Sequence, residues 1–577
     1  MNGISLTLGA KRVQLTLARH LPTLVMSGLF LGVSLIILYP VLMLLYGSFR
    51  SAPPGEIGFF TLQNYLEAYS DPKTYKLFLN TFLIVGSQTL LSAIIAIFFA
   101  WVVTRTDTPC RGLITLFMVI PFFIPAILEV LAWALLLSPR TGLLNIFFTW
   151  LFDLKEPPFN IYSLGGLIWT WTITSGPTKF LLIVGAFRAM DTALEEAALI
   201  SGSSRLGVFF RVTLPLMAPT ILGASLLTFI RGMESFELPV ILGLPAGIFV
   251  FTNQIYEALE FGYPPKYGLA TALAVTLFGM TALLVLLQGK LLSGKSFAVI
   301  TGKGYRPTLT ELGPWKYATF GFCLLYFIGA TVLPLSQLII GSFLKIFGLY
   351  EWDSLTLEHY RIVLSDPLVW RSMKNSFLIA GIAAFVTMVL SFLVAYVVTK
   401  TDFFAKKTLD YISWIPWTIP GLVLGLGMLW AYIRLPYPLD IYGTVWILFL
   451  AFMTNGIPLG VRVASGGLAQ IGNELEESAW VHGASWLYTF RTITLKLMTP
   501  IFLAGMLILF VNFTRALGSV ILLSGHGTEL LAVTIFLYWQ RGEPGTVSAL
   551  SLMLLVMIVL PLIVVRLLGA SRTDAGR

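Results

Sequence analysis

Long apolar runs separated by short polar segments recur from one end of the chain to the other. Each is about 20 residues or more, the length a helix needs to cross a hydrocarbon core of about 30 Å. Lipid offers the backbone no hydrogen-bond partners, so only helices or closed barrels span it, and these runs lack the alternation of barrel strands. The pattern predicts an all-α polytopic membrane protein with twelve transmembrane helices, at 21–48, 78–104, 112–138, 161–187, 216–243, 267–289, 315–343, 373–399, 407–433, 442–461, 498–524 and 545–565. An even number of spans leaves both termini on one side.

The runs repeat as a set. Residues 80–107 (NTFLIVGSQTLLSAIIAIFFAWVVTRTD) match 375–402 (NSFLIAGIAAFVTMVLSFLVAYVVTKTD) at 11 of 28 positions without a gap. Chance in so apolar a composition gives about two or three. The offset of 295 residues extends upstream, where Leu62–Tyr65 matches Leu357–Tyr360, and downstream, where Pro121 and Pro125 correspond to Pro416 and Pro420. Beyond the third span of each set it falls to 281, and the difference fits a shorter external loop at about 434–441 than at about 139–160. Six spans per repeat give the halves the same orientation, related by a pseudo-twofold along the membrane normal. The predicted organisation is an N-terminal segment 1–20, a first six-helix domain 21–293, a linker 294–314, a second six-helix domain 315–568 and a tail 569–577.

Composition agrees: 57% of the 577 residues are hydrophobic and 11% charged, with mean hydropathy +0.86, against about 25% charged in soluble domains. Lys11, Arg12 and Arg19 precede the first span and hold the N-terminus in the cytoplasm under the positive-inside rule. With that orientation, inside segments carry 22 Lys and Arg, outside segments 12, and Lys179, Arg231 and Arg515 fall within spans. The first apolar run is long and lacks a small-residue cleavage site, so it reads as a span and not as a cleaved signal peptide. The net charge of +9 sits on short loops beside membrane ends, which topology explains without nucleic acid. Cys110, in a cytoplasmic turn, and Cys323, inside the seventh span, predict no disulfide.

Between the fourth and fifth spans of each half lies a long cytoplasmic segment. The first copy, DTALEEAALISGSSRLGVFFRVTLP at 191–215, opens with a capping-box pattern at Thr192 and Glu195. Gly202 ends that short helix, and Ser204 caps a second helix that stops near Pro215. The second copy, 473–496, has Asn473 as cap, Gly483 as break and Ser485 as the next cap. Both read as helix, glycine turn, helix.

These segments resemble the signature of the inner-membrane permeases of ABC importers that work with binding proteins: Glu-Ala-Ala, three residues, Gly, nine residues, Ile-x-Leu-Pro. Glu196, Ala197, Ala198, Gly202, Val212, Leu214 and Pro215 match it in the first copy. Glu477, Ala479, Gly483, Ile493 and Leu495 match in the second, where Ser478 replaces an alanine and Lys496 the proline. The resemblance implies a type I ABC importer permease fold in which each loop is a coupling helix docking on one of two copies of a separate ATPase subunit. It further implies an extracytoplasmic substrate-binding protein as partner, a bacterial inner-membrane location, and ATP and Mg bound by the ATPase partners, with no cofactor on this chain. The departures at Ser478 and Lys496 lead to the expectation that the second half couples less tightly or exits its helix differently.

Gly289, Gly294, Lys295 and Ser296 fit the phosphate-loop pattern, but no room for an α/β nucleotide-binding domain exists beside them, so Lys290, Lys295, Lys303 and Arg306 read as positive-inside charges. Ionisable residues at bilayer depth are functional candidates. Arg231 and Arg515 lie in counterpart spans at an offset of 284; with Glu129, Glu234 and Glu237 they form a candidate substrate pathway, while Arg231 and Glu234, three apart, equally suit an internal ion pair. Pro121, Pro125, Pro416 and Pro420 are expected to distort the third and ninth spans, as a gate or as packing bends. His20, His359, His482 and His526 are scattered, and no His, Cys or carboxylate cluster has metal-ligand spacing.

Within the permease family, the fused arrangement and the segments RGMESFELP (231–239) and ITGKGYRP (300–307) look most like the ferric-iron group. Relatives that import 2-aminoethylphosphonate, thiamine, polyamines or sulfate remain alternatives. A secondary transporter of the major-facilitator type also has two parallel six-span halves, but the duplicated signature between spans four and five opposes it. No acid, base and nucleophile constellation suggests an enzyme.

Overall fold

The computed structural model describes residues 2–191, 193–292, 309–435 and 440–574. Among the described residues the backbone is helical apart from turns, 3-10 and π segments, and three isolated β-bridges. Nine helices are long and apolar enough to cross a membrane, and two further pairs qualify as one bent span each. By length and composition the described residues therefore supply at most eleven spans, not twelve. The remaining predicted span, 161–187, is the helix Leu164–Ala189. Thr170, Thr172, Thr174, Pro177 and Lys179 lower its apolarity, and Thr170, Thr172 and Lys179 are buried in protein.

Both bent pairs lie at the repeated prolines. Arg111–Phe123 and Ala126–Leu136 meet at 100°, and Lys406–Thr418 and Gly421–Tyr432 at 109°. A proline removes an amide donor and clashes with the preceding turn, and two within five residues leave a short 3-10 piece, Pro121–Phe123 or Ile415–Thr418, in place of the helix.

The fifth and eleventh spans end earlier than hydropathy predicts. Their helices are Arg205–Glu234 and Trp486–Thr514; the apolar sequence continues, but the backbone turns out of helix at Ser235 and at Arg515. Irregular backbone at membrane depth survives only when buried and bonded. Phe236, Ile241, Leu242, Leu517 and Val520 are buried. The Asn253 amide donates to the Pro239 and Ile248 carbonyls, 3.0 Å each, and its oxygen accepts the Val250 N–H at 2.7 Å. A repeated pair adds a second tie: Asn80 donates to the Phe249 carbonyl at 2.9 Å, and Asn375 to the Gly527 carbonyl at 3.0 Å.

The chain divides into two compact units that cut across the sequence repeats. One comprises Met1–Gly47, Lys374–Ile419 and Leu424–Thr528. Within it the opening helix packs Val33 and Ile37 against Val394, Val397, Ile457 and Val461 of the second repeat. Gly427 permits the close approach, since a Cβ there would lie 2.8 Å from the Pro40 carbonyl oxygen. The other unit comprises Ser48–Met373, Pro420–Val423 and Glu529–Arg577. In it the helix Trp315–Phe327, which opens the second repeat, packs Cys323, Phe320 and Tyr326 on Phe99, Phe180 and Phe187 of the first. Each unit thus takes its opening helix from the other repeat.

Candidate functional site

In the first signature segment, 191–215, the Asp191 carboxylate accepts the Ala193 N–H at 2.9 Å and starts the helix Ala193–Ile200. Thr192, the expected cap, lies outside the described residues. Gly202 has φ +86°, a left-handed conformation that costs a side chain about 1–2 kcal/mol. Ser204 then accepts the Gly207 N–H at 3.1 Å as a cap. The following helix does not stop at Pro215; it passes through a π segment, Phe209–Thr213, and continues to Glu234. The wider π turn accommodates the proline at the start of the next α segment.

The second segment follows the same course. The helix is Asn473–Val481, capped by the backbone at Gly472, so Asn473 is its first residue and not its cap. Gly483 has φ +83°, and Ser485 accepts the Tyr488 N–H at 3.3 Å. A π segment, Phe490–Thr494, leads into Leu495–Thr514, with Lys496 where the first copy has Pro215. Backbone exit is therefore the same in both halves, so of the two outcomes expected from that difference the altered helix exit does not occur.

A buried acid locks each short helix to the spans. Glu195, expected to close a capping box, instead turns inward: its carboxylate lies 3.4 Å from Arg105 Nε and accepts the Thr213 hydroxyl at 2.5 Å. Arg105, the last residue of the helix Pro72–Arg105, also donates to the Met190 carbonyl at 3.0 Å. The repeat reproduces this arrangement. Glu476 accepts the Thr494 hydroxyl at 2.6 Å, and Lys400 donates to the Ile471 carbonyl at 2.9 Å. In each half one carboxylate thus ties the short helix to the fifth or eleventh span, and through Arg105 the Glu195 carboxylate reaches the second span as well. Sequence reasoning singled out Glu196 and Glu477; the doubled glutamates and the basic residue of VVTRTD and VVTKTD were the available signal for their neighbours.

Outward, the two helices present matched apolar residues. Ile200 is 88% exposed and Val481 84%, and Leu194, Leu199, Leu475 and Trp480 are exposed at equivalent positions. Ala197 and Gly202 are exposed, with Glu196 and Ala198 half-buried; Glu477, Ser478 and Gly483 are exposed, with Ala479 half-buried. The linker's end touches the first loop: Thr310 and Leu312 hydrogen bond to Arg105, Asp107 and its carboxylate, and Arg205 donates to the Glu311 carbonyl.

The intramembrane charges fall where the fifth-position helices end. Arg231 pairs with Glu234 at 3.0 Å, the arginine half-exposed and the acid buried. Arg515 donates to the Asn512 amide oxygen at 2.9 Å. Glu129 and Glu237 are half-buried. Lys179, a further buried cation, donates to the Thr89 carbonyl at 2.6 Å and the Ser92 hydroxyl at 2.8 Å. Its counterpart is Gly460, whose Cβ would lie 2.4 Å from Ser391 Oγ. Gly289 lies in the helix Tyr267–Leu292, and Gly294, Lys295, Ser296, Lys303 and Arg306 lie outside the described residues. Among the described residues no group of three or more His, Cys, Asp or Glu is placed to hold a metal ion.

Repeated spans that each carry a short outlying helix, locked inward by an acid and apolar on its free side, define the membrane component of a transport assembly. The chain belongs to the family of binding-protein-dependent transport system inner membrane components, which it matches over residues 88–293 and 387–573. It is thus a multi-pass inner-membrane permease of an ABC importer. It is 26% identical to the ferric transport system permease protein FbpB of Actinobacillus pleuropneumoniae over 85% of this chain and 71% of that protein. With the Fe(3+)-transport system permease protein FbpB 2 of Haemophilus influenzae it shares 23% identity over 86% of this chain and 90% of the relative. The sulfate transport system permease protein CysT of Salmonella typhimurium is 28% identical over 41% of this chain and 86% of its own length. Among solved structures, a bacterial ABC transporter involved in import of the acidic polysaccharide alginate aligns at 20% identity and TM-score 0.38, covering 51% of this chain and 99% of the other.

Proposed function

We propose that this permease moves ferric iron, delivered by an extracytoplasmic binding protein, into the cytoplasm, driven by two copies of an ATPase subunit that dock on the two short helices. ATP and Mg belong to those subunits, and both termini of this chain are cytoplasmic. The observation that carries the coupling part is the pair of apolar faces, Leu194, Leu199 and Ile200 and their counterparts Leu475, Trp480 and Val481, each backed by a buried glutamate. Exposed apolar clusters on a polar loop mark a protein contact, and the glutamate lock makes any displacement of the helix a displacement of the spans.

Ferric iron as cargo is supported by relatives of that description matching along most of the chain, whereas the sulfate permease matches well under half of it. On this reading Arg231, Arg515, Glu129, Glu234 and Glu237 are the candidate residues for contact with the solute, and the breaks at Pro121, Pro125, Pro416 and Pro420 are the candidates for gating. The test is uptake of radiolabelled ferric iron, sulfate and 2-aminoethylphosphonate by cells expressing the full importer. Iron uptake alone, abolished by Ile200→Glu with Val481→Glu and accompanied by loss of ATPase co-purification, is expected. Uptake of another solute overturns the cargo; undiminished uptake by the double variant overturns the docking.

A further inference from the structure

The two coupling loops differ in one respect that the repeat makes visible. In the second half Trp486 lays its indole along Phe490, ring centroids 5.3 Å apart and planes at 19°, and its Nε1 donates to the Tyr396 hydroxyl at 2.9 Å. Tyr396 meets the same phenyl ring edge-on at 5.3 Å. The first half keeps the surrounding rings, with Trp101 for Tyr396 and Phe209 for Phe490, 5.8 Å apart, but has Arg205 at the position of Trp486. In place of the indole is a cavity of about 510 Å³.

The shape and chemistry of this cavity are amphipathic along its length. It follows the helix Pro72–Arg105 from Ile94 past Ile97, Phe98 and Trp101 to Arg105, about 16 Å at ~1.5 Å per residue. Its upper end is on a membrane span, where Ile94 is exposed. Its lower end reaches the linker and the coupling helix, with Arg105, Arg205, Glu195 and Glu196 on the rim. Arg105 is engaged by Glu195, whereas the partner of Arg205 is the uncharged Glu311 carbonyl. An apolar slot that begins in the bilayer and ends at a cation suits an acyl chain attached to a phosphate.

We propose that this cavity holds one acyl chain of a glycerophospholipid from the cytoplasmic leaflet, its phosphate at Arg205, as a removable counterpart of Trp486. The lipid fills the space behind the first coupling helix and completes the packing that the second helix has from its own sequence. The site is separate from the solute path and does not depend on which solute is carried.

The test uses the full chain with its ATPase partners in bilayer nanodiscs containing phosphatidylethanolamine with a diazirine on one acyl chain. After photolysis, label is expected on peptides covering 94–101 and 206–214, and about tenfold less on 389–396 and 487–495, the difference that excluding two methylenes produces. Arg205→Trp, which supplies the missing indole, is expected to reduce the first-half label to the second-half level. Leu206→Trp, on the same lining, serves as a second filling variant should the first fail to fold. Equal labelling of both halves, label unchanged by a folded filling variant, or label that vanishes when the ATPase subunits are added, because a partner side chain occupies the slot, would each overturn the proposal.

Discussion

The two signature loops share a backbone and differ in what holds it. Both have a left-handed glycine, a serine cap and a five-residue π segment at matching positions. The first is anchored by an ion pair, Glu195 with a buried Arg105, and by the linker strand at Thr310. The second has a hydrogen bond from the Thr494 hydroxyl to the Glu476 carboxylate, Lys400 bonded to the Ile471 carbonyl, and the Trp486 stack. Sequence departures at Ser478 and Lys496 pointed to weak coupling in the second half, yet the backbone there is unaltered. The difference lies in side chains outside the signature.

The largest effect is expected at the ion pair. Glu195→Ala leaves the Arg105 guanidinium, 4% exposed, without its acid, which costs about 3 kcal/mol. Solute uptake in proteoliposomes should fall by at least about tenfold. Glu476→Ala removes one buried hydrogen bond, about 1–2 kcal/mol, and should cost less. Equal losses would mean that the two carboxylates hold their helices equally firmly.

Gly202→Val and Gly483→Val come next and should match each other. A Cβ at either position has nothing within 4 Å, so the cost is left-handed strain, about 1–2 kcal/mol in both. Uptake several-fold lower in one variant than in the other would mean that the loops are loaded differently in the working complex. A comparable loss of thermal stability is expected from Gly460→Ala, because its Cβ would collide with Ser391 and push two helices apart, about 1–3 kcal/mol. Differential scanning of the purified chain measures it; an unchanged transition would show that Ser391 swings away freely.

The smallest effect is expected from Lys496→Pro, which restores the residue of the first copy. Since the π segment ahead of it already matches the one before Pro215, stability and uptake should change by less than about 1 kcal/mol. A large loss would mean that the Lys496 amide or side chain has a role that Pro215 does without.

Much of the architecture was legible in the sequence. Span positions follow from the length of apolar runs, the repeat from identities such as VVTRTD and VVTKTD, and the loop backbone from Gly202, Ser204, Gly483 and Ser485, each of which acts on its immediate neighbours. The fifth and eleventh spans were overextended because hydropathy measures apolarity, and the irregular segments after Ser235 and Arg515 are as apolar as helix. Lys179 read as a topological exception because its acceptors, Thr89 and Ser92, lie on another helix.

By itself the sequence determined the membrane class, the twofold repeat and the local conformation of the coupling loops, because these depend on composition and on residues within a few positions of one another. Only the tertiary structure decided that each compact unit takes its opening helix from the other repeat, that Glu195 and Glu476 rather than Glu196 and Glu477 lock the loops, and that one repeat has a cavity where the other has an indole. Those outcomes depend on which distant side chains meet. Between two glutamates adjacent in sequence, the helical turn aims one at Arg105 and the other away, and no local pattern records where the arginine will be.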